Sequence, residues 1–199
     1  EINLLILLFI LLLYDKLERM KKKVSLLLIM LVIASSCAQK TFKIRTVGFY
    51  NLENLFDTVN DVEKNDEASP IMEIKENREG VYKDKLEKLS DVISQLGSEK
   101  TNTSPAILGV AEVENKKVLE DLIQTNKLKD KNYGIIHFDS PDKRGIDVAL
   151  LYQKKHFKPI HYEVFNPNIY RENKKVYTRD ILWVTGYLDD ELIHVIVNH

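Results

Sequence analysis

Two short runs in this sequence carry side chains that could hold a hard cation. Tyr50-Asn51-Leu52-Glu53-Asn54-Leu55-Phe56-Asp57 and Val110-Ala111-Glu112-Val113-Glu114-Asn115 each present carboxylates and amides where an apolar stretch runs out. Mg2+ favours such oxygen donors, keeps several waters and leaves positions for the phosphate oxygens of a substrate. Taken singly, Asn51, Asn54 and Asn115 read as turn or cap residues. Glu112 is different, because it directly follows Leu108-Gly109-Val110-Ala111 and so begins beside a dry interior, where a carboxylate needs a metal or a charged partner. Glu114 is open between facing solvent and opening the next helix.

The elements that would position these residues can be read from hydrophobic spacing. Thr41 to Leu52 reads as a strand, alternating first and then continuously apolar. Asp57 to Gly80 is rich in Asp, Glu, Asn and Lys without a sustained apolar period, the pattern of a long surface loop. Tyr82, Leu86, Leu89, Val92, Ile93 and Leu96 recur at spacings of three and four, which predicts an amphipathic helix with Gly97 as its C-cap. Ala106 to Ala111 predicts a strand covered on both faces, and Val118, Leu119, Leu122 and Ile123 a second helix. Strands are then expected at Tyr133–Phe138, Ile146–Tyr152, Phe157–Phe165, Arg179–Leu188 and Leu192–His199, with no helix between them. Consecutive strands with short joins pair antiparallel, so the expected core is a mostly antiparallel or mixed sheet with two helices on one face.

Five motifs in order now become informative together: Phe49 to Phe56, Glu112 to Asn115, Asp142-Lys143-Arg144-Gly145-Ile146-Asp147 to Tyr152, Thr178-Arg179, and Asn198-His199. The set resembles the endonuclease/exonuclease/phosphatase family, from about Thr41 to the last residue. The resemblance implies an α+β, deoxyribonuclease I-like α/β sandwich of mixed, mostly antiparallel sheets flanked by helices, with only the N-terminal part of the domain in residues 38–199. It implies metal-dependent hydrolysis of phosphate esters, phosphodiesters foremost, by in-line attack of water. Asn51 and Glu112 are the implied ligands of Mg2+, with Mn2+ or Ca2+ as substitutes, and Glu53 a ligand through water. Arg179, Arg144 and Asp147 are implied at the substrate phosphate, Asp147 alternatively ordering its loop, and His199 is the implied catalytic histidine. His137, His156, His161 and His194 have no such context and read as surface or strand residues. The family's Gly-Asp-Phe-Asn-like and Ser-Asp-His-like motifs do not occur in these 199 residues, so the fragment is expected to be inactive. A non-catalytic surface lipoprotein that keeps the fold as a binding module is the alternative.

The N-terminal region reads as an address. Met20 is the first plausible initiator, followed by Lys21-Lys22-Lys23 and the apolar run from Val24 to Ala34, the layout of a secretory signal. Residues 1–19 are then upstream translated sequence, since Ile2 to Leu13 is shorter than the roughly 17 to 25 residues that span a bilayer. Ala34-Ser35-Ser36-Cys37 resembles the lipobox of bacterial lipoproteins, which makes 20–37 a signal peptide, Cys37 the lipidation site, and the protein an exported monomer anchored to a membrane. Without the five basic and three acidic residues before Cys37, the 29 basic and 30 acidic side chains fall to 24 and 27. That balance provides no broad basic surface, so a phosphate-bearing substrate, nucleic acid included, must be held by a metal and local Arg or Lys.

Overall fold

The computed structural model describes residues 2–36 and 42–199. Ile2–Ser36 form one helix, α1, which runs through Met20 without a break and carries an exposed ion pair, Arg19 to Asp15 at 2.6 Å. Among the described residues, no helix is long and apolar enough to cross a membrane. Cys37 lies outside the described residues.

Residues 44–199 fold as a separate unit. Its first sheet contains β1 (Val47–Leu55), β2 (Ile107–Val113), β3 (Tyr133–His137) and β4 (Asp147–Gln153), in the order β1-β2-β4-β3. β1 and β2 are parallel, and the other pairs are antiparallel. A parallel pair needs a crossover, supplied here by α2 (Arg78–Gln95) and the single turn α3 (Ser98–Thr101). Between β2 and β3 lies α4 (Lys116–Ile123), whose N-cap Asn115 accepts the Val118 N–H at 3.1 Å. Asn115 is thus a cap, the simpler of its two readings.

The apolar stripe of α2 buries Tyr82, Leu86, Leu89 and Ile93 against Val118, Leu119 and Leu122 of α4 and against Leu108, Val110, Ala149 and Leu151 of the sheet. Gly97 ends α2 as predicted, with a left-handed φ of +69°. β2 and β4 lie inside the sheet with both faces covered, which is why their sequences are nearly continuous in apolar residues.

Hydrophobic spacing alone suggests one sheet, whereas the α/β sandwich implied by the resemblance has more than one, and the structure has the latter. β5 (Phe157–Phe165), β8 (Ile181–Leu188) and β9 (Glu191–Val197) form a second antiparallel sheet in the order β5-β8-β9. Its Phe157, Leu182, Val184 and Val197 pack with Ile107, Ala111, Val148 and Leu150 on the face of the first sheet that the helices leave free. Gly109 permits this approach, because a Cβ there would sit 3.2 Å from both Val197 methyl carbons and 3.3 Å from Phe49. A small hairpin, β6 (Ile169–Arg171) and β7 (Lys174–Val176), completes the unit. The result is α+β, a layer of helices, a mixed sheet and an antiparallel sheet.

Two further boundaries differ from expectation. The first strand begins at Val47, and just before it the Thr46 carbonyl accepts the Ala106 N–H at 2.9 Å. The segment from Asp57 to Asn77 is folded rather than a loose surface loop. It buries Asp66, Ser69 and Ile71, and the Asn65 N–H donates to the Lys143 carbonyl at 2.9 Å.

Candidate active site

β1 and β2 lose their regular pairing just after Asn51 and at Glu112. β1 and β2 run in register from Val47–Ile107 to Asn51–Ala111, then shift before Leu55–Val113. The opposite edge of β2 shifts too, between Ala111 and Val113. At the irregularity, Glu53 (φ 52°), Asn54 (φ 56°) and Glu112 (φ 60°) are left-handed. Each such non-glycine residue costs about 1–3 kcal/mol and persists only where its surroundings hold it.

The holding contacts are visible. Asn51 Oδ1 accepts the Glu53 N–H at 2.9 Å, and Glu112 Oε2 accepts the Asn54 N–H at 3.0 Å. From α2, Lys85 Nζ donates to the Glu53 carbonyl at 2.6 Å and the Asn54 carbonyl at 2.8 Å. Burial lowers the Lys85 pKa against the opposing pull of the Glu53 and Glu112 carboxylates. Two residues on, Glu114 accepts the Asp57 N–H at 2.7 Å, and burial pushes its pKa up to about 7, helped by Asp57, Asp66 and Asp61 although the hydrogen bond opposes it. Glu114 therefore neither faces solvent nor caps α4.

From Glu112 a line of polar contacts crosses to the second sheet. His199 Nε2 stands 3.5 Å from Glu112 Oε1. Arg179 Nη2 lies 3.1 Å from His199 Nδ1 and donates to the His199 carbonyl at 3.2 Å. A guanidinium only donates, so Nδ1 must accept and the proton of neutral His199 sits on Nε2, toward Glu112. Arg179 Nη1 in turn donates to Asp142 Oδ2 at 3.2 Å, and Arg144 grips the same carboxylate through Nε at 3.2 Å and Nη2 at 3.1 Å. Burial would raise the Asp142 pKa, but hydrogen bonds from the Arg144 side chain and backbone and from Arg179 outweigh it and hold the carboxyl below its ordinary value. Arg144 also lines a cleft of about 220 Å3 with Asn54, Phe56, Asn65, Ser69, Pro70 and Ile146.

The structure thus gathers Asn51, Glu53, Glu112 and His199 with Arg179 and Arg144. Asp147 pairs with Val113, the residue after Glu112. Asp147 is buried, its Oδ1 accepting the Ser140 N–H at 2.8 Å and its Oδ2 lying 3.1 Å from His137 Nε2. These contacts order the base of the 138–146 loop. Sequence reasoning missed Lys85, Asp142 as anchor of both arginines, and the burial of Glu114. Only Asp142 had a signal, inside the motif that carries Arg144.

The donors facing the β1 and β2 ends are all oxygens, from an amide and two carboxylates. Glu53 is exposed, and each Glu112 oxygen has one contact and a further lone pair, so the residues fit a hydrated hard cation.

A model of the family described as Endonuclease/Exonuclease/phosphatase matches residues 46–199. No curated protein matches the chain. Among solved structures, humanized D. rerio TDP2 carrying 14 mutations superposes with a TM-score of 0.44 at 9% identity, covering 74% of this chain and 44% of that one. The human Nocturnin catalytic domain with bound sulfate anion gives 0.34 at 16% identity, covering 56% and 40%. The chain therefore spans less than half the length of either protein.

Proposed function

Because this chain belongs to the endonuclease/exonuclease/phosphatase family, we propose that the complete protein is a Mg2+-dependent phosphoesterase, acting foremost on phosphodiesters. The observation that carries this reading is the contact line from Glu112 through His199 to Arg179, set beside Asn51 at the ends of two parallel strands. Asn51 and Glu112, with Glu53 through water, would hold the ion, whose bound charge offsets negative charge on a phosphoryl oxygen. Arg179 and Arg144 bind and orient the phosphate, with Asp142 fixing both guanidinium planes before substrate arrives. His199 holds its proton at Nε2, on the Glu112 side, where a group in transfer can take it.

In this reading the 199 residues alone are inactive, because among the described residues no acid or base beyond Glu112 contacts the His199 ring. Export and anchoring through a lipid on Cys37, with a monomer facing the periplasm or the outside, belong to the same proposal. They are supported by the Lys21-Lys22-Lys23 and Ala34-Ser35-Ser36-Cys37 pattern.

The test is hydrolysis of bis(p-nitrophenyl) phosphate by the complete protein, with Mg2+ and with chelator. Chelator-sensitive turnover that Glu112→Gln abolishes is expected. Absence of turnover in a folded complete protein would sink the enzyme reading and leave the binding-module alternative.

A further inference from the structure

We propose a second cation site, for a borderline transition ion such as Zn2+, formed by His137, Asp139 and Asp147 at the base of the 138–146 loop. One ligand atom of each residue lies within 4.8 Å of the other two. His137 ends β3, Asp147 begins β4, and Asp139 sits in the connection between them, so the cluster closes the loop that carries Asp142 and Arg144. The set shares no residue with the Asn51–Glu112 group, and the inference does not depend on the enzymatic reading.

Charge gives the first reason. Two carboxylates within that distance repel, and one imidazole offsets at most one of them. Among the described residues, neither Asp139 nor Asp147 has a Lys or Arg ion pair; Lys64 Nζ reaches the Ser140 carbonyl at 3.3 Å instead. A divalent cation would balance both carboxylates while leaving the imidazole neutral, the form that ligates.

Orientation gives the second. The His137 and Asp147 side chains are only 4% and 3% exposed, which holds their rotamers. The Ser140 N–H fixes Asp147 through the oxygen that does not face His137, the kind of outer contact that aims a ligand. Asp139 is exposed, so the third side is open to entry and to a coordinated water, giving three protein ligands and one water.

Donor chemistry selects the ion. One imidazole nitrogen with two carboxylate oxygens suits Zn2+ or Co2+, whereas Mg2+ prefers oxygen alone. The molecule would then hold two sites of different softness, an all-oxygen one at Glu112 and a mixed one at His137.

Titrating the full chain with Zn2+ by calorimetry, and with Co2+ by visible absorption, tests this. One equivalent of Zn2+ is expected, in the presence of millimolar Mg2+, with a Co2+ spectrum of low coordination number. His137→Gln and Asp139→Asn should each weaken Zn2+ binding at least ~10-fold, while Glu112→Gln and the double variant His161→Ala/His194→Ala leave it unchanged. Asp139 is exposed, so Asp139→Asn reads the site even where His137→Gln fails to fold. No Zn2+ bound, binding untouched by Asp139→Asn, or binding lost in Glu112→Gln would overturn the proposal.

Discussion

Arg179 fixes the tautomer of His199. Its guanidinium approaches Nδ1 at 3.1 Å and the same residue's carbonyl at 3.2 Å, so ring and backbone are each held at one point and the ring's only N–H points at Glu112. Lysine carries the charge but not the fork, and cannot hold His199 and Asp142 together. Arg179→Lys should lower kcat/KM of the complete protein about 10²- to 10³-fold, the loss typical of one misplaced charge-stabilising donor. Steady-state kinetics on a diester decide it, and a change under threefold would remove Arg179 from the site.

Lys85 is expected to be structural support for the Glu53–Asn54 end of β1. Lys85→Met leaves the Glu53 and Asn54 carbonyls without their donor, and should cost about 1–3 kcal/mol. Urea denaturation measures that loss. Mg2+ titration of the same variant should show weaker binding, since Glu112 and Asn51 are positioned by the backbone Lys85 pins.

The pH response of stability follows from Asp142. Its folded pKa is depressed, so as pH falls the unfolded chain takes up the proton first. The contribution is complete above the ordinary Asp value, near pH 4, and is lost as pH falls through the folded one. Asp142→Asn should lower stability at pH 7 by about 1–3 kcal/mol and flatten the acid limb of a Tm-versus-pH curve. An unchanged limb would show that the arginines do not hold this carboxylate in solution.

Gly109→Val should separate the two sheets. The added side chain meets Val197 and Phe49, and overpacking of this kind costs roughly 1–3 kcal/mol. His199 follows Val197 by two residues, so the same variant should lose activity beyond what its lower stability explains. Denaturation midpoints and kinetics at a temperature where it stays folded separate the two effects.

What the sequence disclosed depends on how much of each feature is a repeating pattern. The stripe Tyr82, Leu86, Leu89, Ile93 and the stop at Gly97 were legible because helix period and burial coincide. The β2 run was legible because both its faces are covered. Alternation counts strands but does not say which sheet takes them, so the second sheet under Ile107 and Leu150 was not readable from periodicity. β6 and β7 are three residues each and largely exposed, too short to show a pattern. The motifs singled out Asn51, Glu112, Arg144, Arg179 and His199 as candidates, but not what holds them. Left-handed Glu112 is a backbone property without a compositional mark, and Lys85 reaches the site only because α2 lies over the end of β1.

The parallel pairing of β1 with β2 also sets when the site can exist. Asn54 and Glu112, joined by a hydrogen bond, are 58 positions apart, and their meeting requires α2 to be laid down and the crossover closed. Long-range pairings of this type are the slow steps of folding, because loop entropy is lost before any contact compensates. No local fragment of the chain can assemble the Asn51–Glu112 end. Its appearance during refolding therefore reports completion of the whole first sheet, and a chain stalled before that point exposes its apolar strands while having no chemistry to lose.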